Sequence, residues 1–117
     1  MNRRAWAPAL MICIAVVLCT IPHAANPQNA PVTADTARTV INQYCVTCHN
    51  TTAKTAGLTL DTMNVANVAE NAEAWEKVIK KVRAGMMPPQ GKPRPDQHSS
   101  DVLVSWLRTS LDRAAAG

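Results

Sequence analysis

The sequence predicts an all-α fold. Three segments repeat apolar residues at the helical period, and each is bounded by a capping residue or a stop signal. No run alternates apolar and polar residues for long enough to make a strand. At 117 residues the chain is one domain's worth of polypeptide.

The first helix is expected over residues 34–44. Thr33 stands at the N-cap, Asp35 lies in the first turn where the helix dipole favours an acid, and Val40, Ile41 and Tyr44 mark one apolar face. The second is expected over residues 72–84, with Asn71 as N-cap. Trp75, Val78, Ile79 and Val82 fall at i, i+3, i+4 and i+7, which makes a single stripe. Glu73 and Glu76 come early and Lys80, Lys81 and Arg83 late, as the dipole prefers, and Gly85 follows as a stop. The third is expected over residues 97–115, entered through Pro95 and Asp96, with Leu103, Trp106, Leu107, Ser110 and Leu111 on its buried face. Between the first two helices, residues 50–70 are rich in Thr, Asn and Ala, and Asp61 or Thr62 is placed to cap one short helical turn. Between the last two, residues 86–95 hold Pro88, Pro89, Pro93 and Pro95 and form a stiff loop with few backbone donors.

The start of the chain is set apart. Arg3 and Arg4 precede a nearly unbroken apolar run from Ala9 to Ile21, and Pro22, His23, Ala24 and Ala25 follow. A basic start, a short apolar run and small residues at its end read as an export signal over residues 1–25, cleaved near Ala24 or Ala25. The run is short for a membrane span, which takes about 20 residues; an uncleaved N-terminal anchor is the alternative. Residues 26–33 then form a polar linker, and residues 34–115 form the folded domain.

Removing the leader changes the composition. Lys+Arg falls from 12 to 10 against 8 acids, so the net charge falls from +4 to +2. The remaining basic residues are interleaved with acids, and no nucleic-acid footprint is left. Cys13 and Cys19 leave with the leader, so Cys45 and Cys48 are the remaining cysteines and a disulfide framework is excluded. The chain has no Phe, one Tyr and three Trp. A domain of this size usually fills much of its core with aromatic rings. This one is filled by aliphatics, or by a group that is not an amino acid.

Those two cysteines stand in Tyr44-Cys45-Val46-Thr47-Cys48-His49, which contains Cys-x-x-Cys-His, the attachment motif for c-type haem. Thiols three residues apart on one turn can both reach the vinyl groups of a porphyrin. The His that follows lies under the iron as the proximal ligand. Two other chemistries use similar spacings. A thioredoxin-like dithiol belongs in a βαβ setting, and no strands are expected here. A structural zinc takes four ligands, and Cys45, Cys48, His49 and a distant His98 would place two ligands on adjacent residues. Candidates for the distal iron position are Met63, Met86, Met87 and His98. Met87 precedes Pro88, which restricts it to extended backbone, and it is the first choice. Met86 is the second. A lone Met such as Met63 usually packs, and His98 opens a helix.

At this point the chain resembles a small class I cytochrome c. More specifically, it resembles the N-terminal cytochrome modules of large secreted planctomycete and acidobacterial proteins. The likeness rests on YCVTCHN at residues 44–50, KTAGLTLD at 54–61 and WEKVIKKVRAGMMPPQGKPRPD at 75–96, and it spans roughly residues 34–115. It implies one covalent haem c, with Cys45 and Cys48 as thioethers, His49 as proximal ligand and Met87 as distal ligand. It implies a crossing of the first and last helices, pairing the face near Val40 and Ile41 with that near Trp106 and Leu107. Where many class I cytochromes carry Gly-Pro after the haem motif, this chain has Gly57-Leu58. Some backbone carbonyl should still accept the Nδ1 proton of His49.

The function expected from these residues is periplasmic one-electron transfer, without enzymatic turnover of its own. The partner would be a redox protein or a C-terminal domain; no nucleic acid is expected, and a membrane only if the leader is uncleaved. The alternatives are a ligand-sensing or peroxidase-like haem with an open distal site, and an interaction module in which haem serves mainly to fold a small domain. With haem in place, the absence of Phe has a simple cause: the large flat hydrophobe of the core is the porphyrin, packed by aliphatics and by Trp75 and Trp106.

Overall fold

The computed structural model describes residues 31–117, and the expected leader and most of the expected linker lie outside them. Among the described residues there are three α-helices and no strand: α1 (Ala34–Tyr44), α2 (Ala72–Arg83) and α3 (Gln97–Ala116). A tight turn at Thr55–Gly57 and a single turn of 3-10 helix at Val68–Asn71 punctuate the long α1–α2 connection. The fold class expected from periodicity is the one observed. No described helix is long and apolar enough to cross a membrane.

The helix ends follow from local chemistry. Thr33 caps α1 through its hydroxyl, which accepts from the Thr36 N–H at 3.2 Å, while the Thr33 N–H donates to the Thr36 hydroxyl at 2.9 Å. Two amides that the first turn leaves without helical partners are thereby satisfied. Asp96 caps α3 by accepting from the Ser99 N–H at 2.7 Å. Gly85 terminates α2 at φ 65°, a left-handed conformation that suits a residue without a Cβ. Asn71 occupies the cap position of α2, but its side chain makes no capping hydrogen bond. The preceding 3-10 turn runs directly into α2, and Asn71 has neither the extended backbone nor the free entry that a side-chain cap uses. Asp61 and Thr62 do not open a helical turn either. The Thr62 N–H closes a turn on the Thr59 carbonyl at 3.2 Å, and the Asp61 carboxylate is engaged ten residues back in sequence.

Both α1 and α2 pack on α3. The core comprises Ala37, Val40 and Ile41 of α1, Trp75, Val78 and Ile79 of α2, and Leu103 and Leu107 of α3. Leu60, Met63, Val65 and Val68 from the α1–α2 connection close it. The expected stripe of α1 thus gains Ala37, which sits at i−3 and i−4 from Val40 and Ile41 and is fully buried. Met63 is buried as packing, as expected of a lone Met. Trp106 is half-buried at the edge, and its indole N–H donates to the Val65 carbonyl at 2.9 Å, tying α3 to the connection. The long connection is therefore anchored in the same core as the helices.

Ile41 is fully buried whereas Val32 is 39% exposed. Truncating Ile41 to Ala is expected to lower unfolding free energy by about 2–5 kcal/mol. Val32→Ala should stay within about 0.5 kcal/mol of wild type. Equilibrium denaturation of the two variants checks this.

Candidate functional site

A cleft of about 780 Å³ opens beside the helical core. One side is the end of α1 and the turn that follows, carrying Tyr44, Cys45, Cys48 and His49. The floor comes from Ala56, Gly57, Leu58 and Leu60 of the connection. The α2 wall is Ala74, Val78 and Val82, spaced i, i+4, i+8 so that one strip of the helix faces the opening. The far side is the strap after α2, with Met87, Pro88, Pro89 and Pro93.

The motif residues are brought together as their spacing anticipates. Cys45 ends α1, with its N–H donating to the Ile41 carbonyl at 2.9 Å. The N–H groups of Cys48 and His49 both turn back to the Cys45 carbonyl, at 3.2 and 2.9 Å. Cys45, Cys48 and His49 therefore sit on one tight turn at the mouth. Both thiols are free. Burial pushes the Cys45 thiol up to about 11, so it stays protonated at neutral pH. A dithiol redox centre needs a thiol shifted the other way. Among the described residues no group of three or more His, Cys, Asp or Glu side chains could hold a metal ion, and His98 is exposed on the first turn of α3, away from the cleft. The zinc arrangement is not formed.

The carbonyl that meets His49 Nδ1 is that of Thr55, at 2.9 Å. Residue type gives no signal for it, because any residue offers a backbone carbonyl. The contact leaves Nδ1 as the protonated nitrogen and Nε2 as the free lone pair. The Thr55 carbonyl is aimed by an unusual backbone. Lys54 and Ala56 on either side have φ of 47° and 56°, both left-handed, and Gly57 follows at 71°. Only Gly takes that region without a steric cost.

A second set of contacts holds the loop shut. Asn50, next to His49, receives the N–H groups of Thr52 and Ala53 at 2.8 and 2.7 Å, and its amide donates to the Val46 carbonyl at 2.7 Å. Asp61 accepts from the Thr51 N–H at 3.0 Å and its hydroxyl at 2.9 Å. The Thr51 amide, and less so its hydroxyl, holds the Asp61 carboxyl below the usual carboxylate range. The Leu60 N–H donates to the His49 carbonyl at 2.9 Å. Arg38 of α1 donates to the Leu60 carbonyl at 2.8 Å and to the Met63 carbonyl. Asn50, Asp61 and Arg38 were not singled out as site residues from the sequence. Of the three, only Asn50 carries a local signal, as an Asx-turn former directly after the motif.

On the opposite wall Met87 is half-buried and lines the cleft. Met86 is 54% exposed and does not line it; its Sδ lies 3.8 Å from Lys81 Nζ. The strap is rooted on α2, where the N–H groups of Met86 and Met87 both point to the Lys81 carbonyl, at 2.9 and 3.3 Å. Arg94 braces it by donating to the Gly85 carbonyl at 2.7 Å. Trp75 and Trp106 do not line the cleft. Trp75 is fully buried in the helical core, so aliphatic side chains make the apolar walls.

Residues 45–91 match the family model described as Planctomycete cytochrome C. That stretch is similar to a cytochrome c module of planctomycete type. No curated protein and no solved structure matches the chain. The cytochrome c family carries covalently bound haem c and uses it for electron transfer, and the cleft fits such a group. Its volume falls in the range of cofactor-sized pockets, about 300–1,000 Å³. Two free thiols, an imidazole with one nitrogen already satisfied, and a thioether all border the same apolar space.

Two outcomes follow from the loop that carries Thr55. Replacing Ala56 with Gly relieves a left-handed Ala and should raise stability by about 0.5–1 kcal/mol, read from the denaturation midpoint. The Asp61–Thr51 clamp has a depressed folded pKa. Its contribution is complete above the unfolded aspartate pKa of about 3.9 and is lost as pH falls through the lower folded value. Asp61→Asn should therefore flatten the acid limb of a melting-temperature profile below about pH 4 and leave the curve parallel to wild type above it.

Proposed function

We propose that the chain is an exported one-electron carrier built on a single haem c. Cys45 and Cys48 would hold the porphyrin as thioethers. His49, through its nitrogen, and Met87, through its sulfur, would ligate the iron. Bound there, haem supplies an Fe(III)/Fe(II) couple, which a Met/His pair poises higher than two imidazoles do. The single observation that carries this reading is that His49, with Nδ1 bonded to the Thr55 carbonyl, and Met87, on its proline strap, border the same cleft as both thiols.

Each residue has a distinct task. Thr55 fixes the tautomer of His49 and turns Nε2 toward the iron position. The strap keeps Met87 in place through the Lys81 carbonyl and the Arg94–Gly85 contact, so a weak thioether is presented without first having to be ordered. Leu58, Leu60, Val78 and Val82 exclude water from the faces of the cleft. With His49 and Met87 both committed to the group, no position on it would be left for a substrate, and the module would move electrons rather than turn over a reactant. An open distal site would draw on His98, which is exposed and lies outside the cleft. The leader at residues 1–25 supports export, since covalent haem attachment of this kind occurs outside the bacterial cytoplasm. The partner we propose is a second redox centre, on another protein or on a further domain.

Carbon monoxide tests the distal assignment. Ferrous wild-type protein is expected to bind it slowly and weakly, because Met87 must first leave. Met87→Ala should bind it at least about tenfold faster and gain peroxidase turnover, whereas Met86→Ala should behave as wild type. Ready binding by the wild type, or an effect of Met86→Ala as large as that of Met87→Ala, contradicts ligation by Met87.

A further inference from the structure

The rim of the cleft carries charge that the proposed iron ligands do not use. Glu70, Glu73 and Lys77 lie toward the start of α2, and Lys81 and Lys92 lie toward its end and the strap. Lys77 is committed to Glu73 at 2.6 Å, and the Glu70 carboxylate accepts from the Asn67 amide at 2.7 Å. Among the described residues Lys81 and Lys92 have no carboxylate within ion-pair distance. Lys81 Nζ has the Met86 sulfur at 3.8 Å, a weak acceptor. Lys92 is held in a turn, with its N–H on the Pro89 carbonyl at 3.2 Å, left-handed Gly91 before it and Pro93 after it. Two ammonium groups without anionic partners thus border the strap end of a largely apolar opening.

A haem carries two propionates, the only ionised groups on its periphery. Set near Glu70 and Glu73 they would meet like charge. Set near Lys81 and Lys92 they meet two cations that lack partners, and ammonium–carboxylate contacts of this kind are stronger than neutral hydrogen bonds. We infer that Lys81 and Lys92 anchor the two haem propionates, so that the carboxylate edge of the porphyrin lies at the strap end of the cleft. This rests on the haem assignment of the preceding subsection. It adds a consequence for Met87. The backbone carbonyl of Lys81 already roots the strap by accepting from Met86 and Met87. Lys92 lies beyond the prolines that follow Met87, so pairing at both lysines brackets the distal ligand from its two sides.

The experiment uses the full chain matured with haem. Resonance Raman spectra report propionate bending modes, which shift with the hydrogen bonding of the carboxylates. Lys81→Gln and Lys92→Gln are each expected to shift those modes. The double variant should shift them further and favour ferric over ferrous iron on the order of tenfold relative to wild type. Lys80→Gln, an exposed lysine of the same helix that does not border the cleft, should leave the modes unchanged, and Lys92→Arg should restore the wild-type band. Unchanged modes in the double variant overturn the inference while leaving the haem assignment intact. A shift as large in Lys80→Gln as in Lys92→Gln also overturns it. Wild-type chain that carries no covalent haem overturns both.

Discussion

The hydrogen bond between His49 Nδ1 and the Thr55 carbonyl is the contact on which the site depends. An imidazole at the end of a helix-terminal turn can rotate, and either nitrogen can carry its proton. A carbonyl at 2.9 Å removes both freedoms. Much of the α1–α2 connection is organised to deliver that carbonyl. Lys54 and Ala56 take left-handed backbone beside it, Asn50 folds the chain just after the motif, and Asp61 closes the loop on Thr51. Arg38 then fastens the far end of the loop to α1 through the Leu60 carbonyl. Strain at two non-glycine residues persists because these surrounding contacts over-determine the loop.

The second constraint is that the cleft beside the helical core must stay open. Large side chains directed into the cleft would close it. The chain has no Phe, and its buried indole, Trp75, belongs to the helical core and not to the cleft wall. The α2 helix serves both sides. Trp75 and Ile79 pack inward, Ala74 and Val82 face the opening, and Val78 is shared between them. A short domain buries limited apolar area of its own. Its helices therefore form a shell with one side left open, and the open side is the cleft that the thiols, His49 and Met87 border.

What the sequence made legible was what local chemistry encodes. Helix periods located α1, α2 and α3, because burial of one face needs the 3.6-residue repeat whatever lies opposite. The tight turn that gathers Cys45, Cys48 and His49 was legible because their spacing dictates it, and Met87 was singled out because Pro88 constrains it. Contacts distant in sequence were not legible. Arg38 meets Leu60 and Met63, Asp61 meets Thr51, and Trp106 meets Val65 across the fold. Thr55 was hidden for a different reason: its functional atom is a main-chain oxygen. Asn71 and Asp61 show the opposite error. Both are good capping types by residue, but a 3-10 turn leads into α2 at Asn71 and a tertiary contact engages Asp61.

The most direct measurement is the intact mass of the chain, with peptide mapping, after production in a host that exports it and matures c-type cytochromes. The expected result is an added mass of one haem that survives acid extraction, located on the peptide containing Cys45, Cys48 and His49. Loss of Cys45 or of Cys48 should each remove one attachment point. Haem that extracts freely, or a mature chain with both thiols still open to alkylation, would contradict the assignment of this cleft as a covalent haem site.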